Sequence, residues 1–282
     1  MRNRKKLFSR IIRFFQNLKK EGIIQTLVRI ILKIFNSPNE IQKSKNKVLN
    51  HLVKIHGHKV AYGKFTGMKL NKNSYWSKND LITQILGVYE QHILEQLIEF
   101  SKENDSVLVD IGAADGYFAV GAVYSGLFNK VYAFEIEEEG RKNLTYNSEL
   151  NSCNSKIYIN IEANNNSLKK IIDNNKKVVI LIDIEGEEFK LLNLETISLL
   201  SKCNLIIELH PSLVPDGITK QEQLINYCKP YFDISLIRRE NYNPNFFGEL
   251  NKFTDEERLI AMGEGRENNM SWLILKSKKN KN

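Results

Sequence analysis

From residue 106 onward the chain alternates between two hydrophobic patterns. Short apolar runs recur at 106–111, 131–135, 156–161, 178–184, 204–209, 232–238 and 271–276. Between most of them apolar residues return every three or four positions, as in 138–150, 187–200 and 219–228. Runs that are apolar throughout predict strands buried on both faces, and their alternation with helices predicts a doubly wound, mostly parallel α/β sheet. The last two strand candidates flank an irregular stretch, 239–270, which suggests an antiparallel C-terminal hairpin. Upstream, the stripe Leu81, Ile85, Tyr89, Ile93 and Leu97 predicts one helix from Asp80 to Phe100. Residues 60–76 suggest short strands with glycine turns. The polar stretch 36–50, with Pro38 near its start, suggests a linker or a loose first turn.

Residues 1–36 differ in character. Leu7, Ile11, Phe14, Leu18, Ile23, Leu27 and Ile31 recur at helical spacing, with Lys and Arg between them. This arm carries +9 of a net charge of +8, so the rest of the chain sums to −1. Two readings of it stay open: a helix lying on an anionic membrane surface, or one packed on the body or on a partner. Arg13 interrupts its early apolar run and no small-residue cleavage site follows, so neither a spanning helix nor a secretory signal is expected. The expected organisation is an arm at 1–36, a linker with a small strand and turn segment at 37–79, and the main domain at 80–282. A body without net positive charge argues against a nucleic-acid partner. An apolar share of 42% supports a normal core, and Cys153, Cys203 and Cys228 form no paired spacing. A cytoplasmic protein is therefore expected, with the inner face of the membrane as the surface the arm would meet.

The most informative stretch is VLVDIGAADGYFAVG, residues 107–121. A dinucleotide loop reads G-x-G-x-x-G after a strand, its glycines closing on a pyrophosphate. Here Ala114 replaces the second glycine, and Asp110 would set a negative charge beside two phosphates. The loop suits a cofactor with a cationic end. S-adenosylmethionine has both a sulfonium and an ammonium, and Asp110 can attract the ammonium while Gly112, Ala113 and Gly116 let the main chain approach. Glu135, closing the next apolar run, can accept ribose hydroxyls. Glu162, closing the third, is either at the adenine edge or a solvated loop acid.

Further on, VVILIDIEGEE carries Asp183 and Glu185, and NLIIELHP carries Glu208 and His210. Residues two apart on a strand share a face, so all four are candidates to converge beside the cofactor's methyl group. His210 or Asp183 would then deprotonate a substrate hydroxyl. A divalent ion held by Asp183, Glu185 and Glu208 is the lesser alternative, because spacing alone does not fix coordination, and no metal ligand is assigned.

In sequence, Asp110-Ile-Gly112-Ala113-Ala-Asp-Gly116-Tyr117, Phe134-Glu135, Asp183-Ile-Glu185-Gly186-Glu187-Glu188 and Ile206-Ile207-Glu208-Leu-His210 resemble the motifs of the FkbM-like methyltransferases. The resemblance covers about residues 80–215. It implies a class I, Rossmann-like fold with a seven-stranded sheet, S-adenosylmethionine as donor, and O-methylation of sugar or small-molecule hydroxyls, cell-surface glycans among them. It also marks Glu90, in a Tyr-Glu segment ahead of the first strand, as a residue near the cofactor. One position departs: the family usually has Lys two residues before the Asp of D-x-E-G, and here stands Leu181. That departure keeps open an alternative, a methyltransferase fold retained as a non-catalytic binding or scaffold protein at the membrane surface.

Overall fold

A computed structural model describes residues 40–72, 80–102, 105–238, 242–264 and 270–281. The arm at 1–36, with both readings of it, lies outside the described residues. No described helix is long and apolar enough to cross a membrane. The chain divides into two units, residues 1–47 and 48–282. The described part of the first unit opens helix α1 (Glu40–His56), which runs on into the second. Residues 40–50, expected as linker, are therefore helical. Val48 and Leu52, one turn apart, are both fully buried.

Two short helices follow, α2 (Leu81–Leu86) and α3 (Gln91–Phe100). The chain then runs β1 (Ser106–Ile111), α4 (Tyr117–Tyr124), β2 (Val131–Phe134), α5 (Glu138–Leu150), β3 (Ile157–Asn160), α6 (Asn165–Asn174) and β4 (Lys177–Ile182). It continues through α7 (Glu188–Leu191), α8 (Leu194–Leu199), β5 (Asn204–Leu209), α9 (Gly217–Cys228), β6 (Phe232–Arg238), α10 (Asp255–Met262) and β7 (Ser271–Ser277). The seven strands form one sheet in the order β3-β2-β1-β4-β5-β7-β6. β1 to β5 pair in parallel, and β7 runs antiparallel between β5 and β6. This is the doubly wound, mostly parallel, Rossmann-like sheet expected from the sequence, with a reversed C-terminal strand.

The strand pleat explains how the sheet holds together. Leu108, Val179, Leu181, Ile206 and Ile274 belong to one buried apolar cluster. Their neighbours Val107, Val109, Ile180, Ile182 and Ile207 belong to another. Alternate residues of each central strand thus feed opposite layers, as burial on both faces requires. Asp110 falls in phase with Leu108, and Glu208 with Ile206, so both acids project on the side of the first cluster.

The structure departs from expectation in four further places. The single helix expected over 80–100 is two, because Gly87 ends α2 in a left-handed turn (φ 71°) and Glu90 enters α3 with φ 42°. The Gly87 N–H bonds the Gln84 carbonyl, and a Cβ at Gly87 would lie 2.0 Å from the Tyr62 carbonyl oxygen. Residues 187–200 likewise form two short helices, the second capped by Asn193, whose side chain accepts the Thr196 N–H. The stretch 239–270 holds α10, whose Thr254 and Glu257 make reciprocal capping bonds. For residues 60–72 the structure shows turns and one isolated bridge, Lys59 to Lys69.

One contact locks the two halves of the sheet at their carboxyl ends. The Asp183 N–H bonds the Ile111 carbonyl at 2.9 Å, and the Gly112 N–H bonds the Phe134 carbonyl at 2.9 Å. A Cβ at Gly112 (φ 88°) would stand 1.7 Å from the Asp183 carbonyl oxygen. Gly126 also has positive φ (72°), but open space where its Cβ would go. In denaturant titrations Gly126→Ala is expected to cost ~1 kcal/mol, the left-handed penalty alone. Gly112→Ala should cost ~3 kcal/mol or more, because main chain must also move. Equal costs would show that the strand ends are not in fixed contact.

Candidate active site

A cavity of about 1000 Å³ opens at the carboxyl ends of β1, β2 and β4, the edge where doubly wound sheets bind ligands. Asp110, Gly112 and Ala113 line one wall with Glu135. Glu90 and Glu162 reach it from either side, and Asp183 and Glu185 line the wall at β4. Of the other sequence-predicted residues, Gly116 stands behind the loop at the entry to α4 (φ 87°) and is not part of the wall. Glu208 and His210 are also set back from it, with 0% and 2% exposure.

The Glu135 carboxylate is held by main chain. One oxygen accepts the Ala114 N–H and the other the Glu137 N–H, each at 2.8 Å. Ala114 adopts φ 48° to make this bond. The loop noted for lacking a glycine at 114 therefore uses that residue to fix the acid at the end of β2. Glu90, 2% exposed, donates its main-chain N–H to the carboxylate of Glu264, two residues past α10, at 3.3 Å.

Asp183 and Glu185 do not lie on a common strand face. β4 ends at Ile182, and Glu185 sits in a turn with φ 51°. The turn nonetheless brings both carboxylates to His210, 3.5 Å and 3.4 Å from Nε2. Behind them is Glu188, fully buried. One of its oxygens accepts the main-chain N–H of His210 at 2.7 Å and the other the main-chain N–H of Gly186 at 2.8 Å. It also lies 3.4 Å from His210 Nδ1. Glu188 thus ties the turn after β4 to the residue after β5. Sequence reasoning did not single it out, because in Gly186-Glu187-Glu188 nothing marks the buried acid from its exposed neighbour.

Burial governs the acidities. It pushes Asp110 up to about 7, aided by the charges of Asp183 and Glu135 and opposed by the Ala119 N–H at the start of α4. Burial raises Asp183 to about 6, against the opposing pull of His210 and of a hydrogen bond with Glu208. Glu208 is held well above the carboxylate range, first by burial and then by Asp183. Burial draws His210 down, but the carboxylates of Glu188, Asp183 and Glu185 outweigh it and hold the ring above its ordinary value.

Aromatic rings complete the cavity at its far end, a feature sequence reasoning passed over. Tyr89, Tyr117, Phe118 and Trp272 line it, with Tyr89 edge-on to Tyr117 at 5.2 Å. The signal was Tyr117-Phe118 directly after Gly116, which also reads as the start of a buried helix. Leu181, the departure from the family pattern, is 2% exposed and contributes an apolar patch to the wall.

No family model matches the chain, so the FkbM-like resemblance rests on its four motifs. A curated relative from Nautilia profundicola, a tRNA/tmRNA (uracil-C(5))-methyltransferase, is 29% identical over 160 residues. These make up 54% of this chain and 43% of the relative, so the chain spans less than half the length of the curated protein it matches. Among solved structures, the O-methyltransferase from Bacillus cereus in complex with SAH is 11% identical with a TM-score of 0.43, over 82% of this chain and 91% of that one. Streptococcus pneumoniae Sp1610, a putative tRNA (m1A22) methyltransferase in complex with S-adenosyl-L-methionine, is 16% identical with a TM-score of 0.43, over 65% and 71%. The expectation that excluded a nucleic-acid partner does not stand, since the curated relative is named for tRNA and tmRNA. Net charge summed over a body does not report where its cations lie.

Replacing Glu188 by Gln leaves one main-chain N–H without its carboxylate acceptor in a site closed to water. We expect a loss of ~1–3 kcal/mol in chemical denaturation. Glu187→Gln, on the exposed neighbour, should change stability by less than ~0.5 kcal/mol. Indistinguishable variants would remove Glu188 from its tying role.

Proposed function

We propose that the chain is an S-adenosylmethionine-dependent methyltransferase acting on a hydroxyl group. One observation carries this reading. A single cavity combines the main-chain-anchored carboxylate of Glu135, the buried acid Asp110, and two isoleucines, Ile136 and Ile161, that are 67% and 60% exposed. Exposed isoleucines on a cavity rim suit a flat apolar ring between them. Glu135 suits a vicinal diol, and Asp110 suits an ammonium. The donor set therefore fits the adenosine, ribose and amino-acid parts of the cofactor. Gly112 and Ala113 leave the main chain free to approach it, and Glu90 and Glu162 border the same space.

When bound, S-adenosylmethionine supplies an electrophilic methyl group. The protein's part is orientation. Asp183 and Glu185 accept the hydrogen bond of an incoming hydroxyl. His210 and Glu208, behind the wall, hold Asp183 in place and adjust its charge. The aromatic wall of Tyr89, Tyr117 and Phe118 keeps water from the acceptor's far side.

The resemblance favours a sugar or small-molecule hydroxyl as acceptor, and the curated relative makes RNA a second acceptor class. Uracil carbon-5 chemistry fits less well. A pyrimidine carbon is ordinarily activated by a thiolate adding to the ring. All three cysteines are buried and outside the cavity wall, and burial pushes Cys203 and Cys228 up to about 12. The non-catalytic alternative, motivated by Leu181, predicts cofactor binding without transfer.

Two measurements test the reading. In calorimetry free of divalent ions, wild type should bind S-adenosylmethionine, and Glu135→Gln should weaken binding about tenfold or more. An ammonium pairs with ionised Asp110, and a proton there must first leave. Affinity should thus fall about tenfold per pH unit below about 7 and level off above it. Asp110→Asn should bind weakly without that bend, and a wild type that binds no cofactor would reject the site. Labelled-methyl transfer into separate glycan and tRNA pools then assigns the acceptor, and a label found on uracil carbon would reject the hydroxyl chemistry.

A further inference from the structure

Asp183, Glu185 and His210 each offer one ligand atom, and the three atoms lie within 4.8 Å of one another. Their spacing is informative. A charge-assisted hydrogen bond between imidazolium and carboxylate closes to about 2.7–2.9 Å. Here Nε2 stands off from both carboxylates, at 3.5 Å and 3.4 Å. A tetrahedral ion with ligands at about 2.1 Å keeps them about 3.4 Å apart. The separation is too long for the direct bond and suits an ion between the groups.

A second observation points the same way. A metal-binding histidine usually gives its other ring nitrogen to a carboxylate, which fixes the tautomer and aims the lone pair. Glu188 stands on that side of the ring, 3.4 Å from Nδ1 and held by its two main-chain bonds, where its charge favours the proton on Nδ1 without a closed hydrogen bond. With the proton on Nδ1, the Nε2 lone pair faces Asp183 and Glu185. The imidazole side chain is 2% exposed, whereas Glu185 is 52% exposed, so the ring is buried while the opposite side stays open to the cavity. Asp183 Oδ1 is buried without a hydrogen-bond partner. An orphan carboxylate oxygen in that position is costly unless something positive meets it.

We propose that Asp183, Glu185 and His210 form a binding site for one divalent first-row transition ion, with Glu188 as the carboxylate that orients His210. One imidazole and two carboxylates favour manganese, iron or zinc over magnesium or calcium, which prefer oxygen alone. Its role rests on the methyltransferase reading above. An ion on the acceptor wall, with its remaining positions toward the cavity, binds the acceptor oxygen and lowers the pKa of that hydroxyl. The proton then leaves to solvent as the oxygen becomes nucleophilic.

The test uses the full chain, stripped with chelator and titrated separately with manganese(II) and zinc(II) in a calorimeter. One ion per chain is expected. Binding should weaken about tenfold or more in Glu185→Gln and in His210→Ala, and stay unchanged in Glu187→Gln. Nitrogen coupling in the manganese paramagnetic resonance spectrum should disappear in His210→Ala. Glu185 is largely exposed, so Glu185→Gln folds even if the buried histidine variant does not. A stripped wild type that takes up neither ion, or a Glu185→Gln variant that binds like wild type, overturns the site. Cofactor binding is measured in parallel in chelator. S-adenosylmethionine binding without ion binding overturns this inference alone. Ion binding without S-adenosylmethionine binding supports the ion site and rejects the methyltransferase reading.

Discussion

Asp110, Asp183 and Glu208 crowd the carboxyl ends of three adjacent strands on one side of the sheet, and the pKa of each is raised by burial and by neighbouring carboxylates. Such an arrangement opposes folding. Desolvating acids beside one another costs free energy that the fold must offset elsewhere. The offset comes from the two apolar layers that the strands feed on alternate residues, with β1, β4 and β5 almost wholly buried. The rest of the site follows from that concentration of negative charge. Main-chain N–H groups are drawn to Glu135 and Glu188, and His210 is held between three carboxylates. Strain of this kind persists where a site needs it and is uncommon where it does not.

Much of this was legible in the sequence for a physical reason. A strand buried on both faces must be apolar at nearly every position, so 106–111 and 204–209 emerged with their boundaries intact, whereas 232–238, an edge strand, was marked by Phe232, Ile234 and Leu236 alternating with Asp233 and Ser235. Helices on the periphery were less clear. The stripe Leu81, Ile85, Ile93 and Leu97 keeps helical phase across the break at Gly87, and nothing in the sequence reveals the left-handed turn at Glu90. Residues 40–50 read as linker because polar residues outnumber their one buried apolar position, Val48.

The site was legible in composition and less so in geometry. Asp183 and Glu185 do meet His210, but through a left-handed residue after the strand and not through the strand's own pleat. Glu188, which binds that turn together, was hidden beside Glu187, because burial is decided by tertiary packing and not by residue type. His210 and Glu208 were expected at the cavity surface and lie behind it, since the residue just past β5 turns back under the β4 loop. Charge summed along a chain likewise says nothing of where a polyanion would rest, which is why the exclusion of nucleic acid did not hold.

The contact between Gly112 and the Asp183 carbonyl joins the loop after β1 to the turn after β4 with no side chain between them. The spacing between the two acidic walls is therefore a property of the backbone, outside the reach of ordinary side-chain substitution. Anyone seeking to redirect this scaffold toward a different molecule would find that distance fixed. The adjustable wall lies elsewhere, on the paired helices that contribute Asp80, Gln84, Tyr89 and Glu90. Those residues lie outside the strands, so the room at that end can be resized while the charged floor stays as it is.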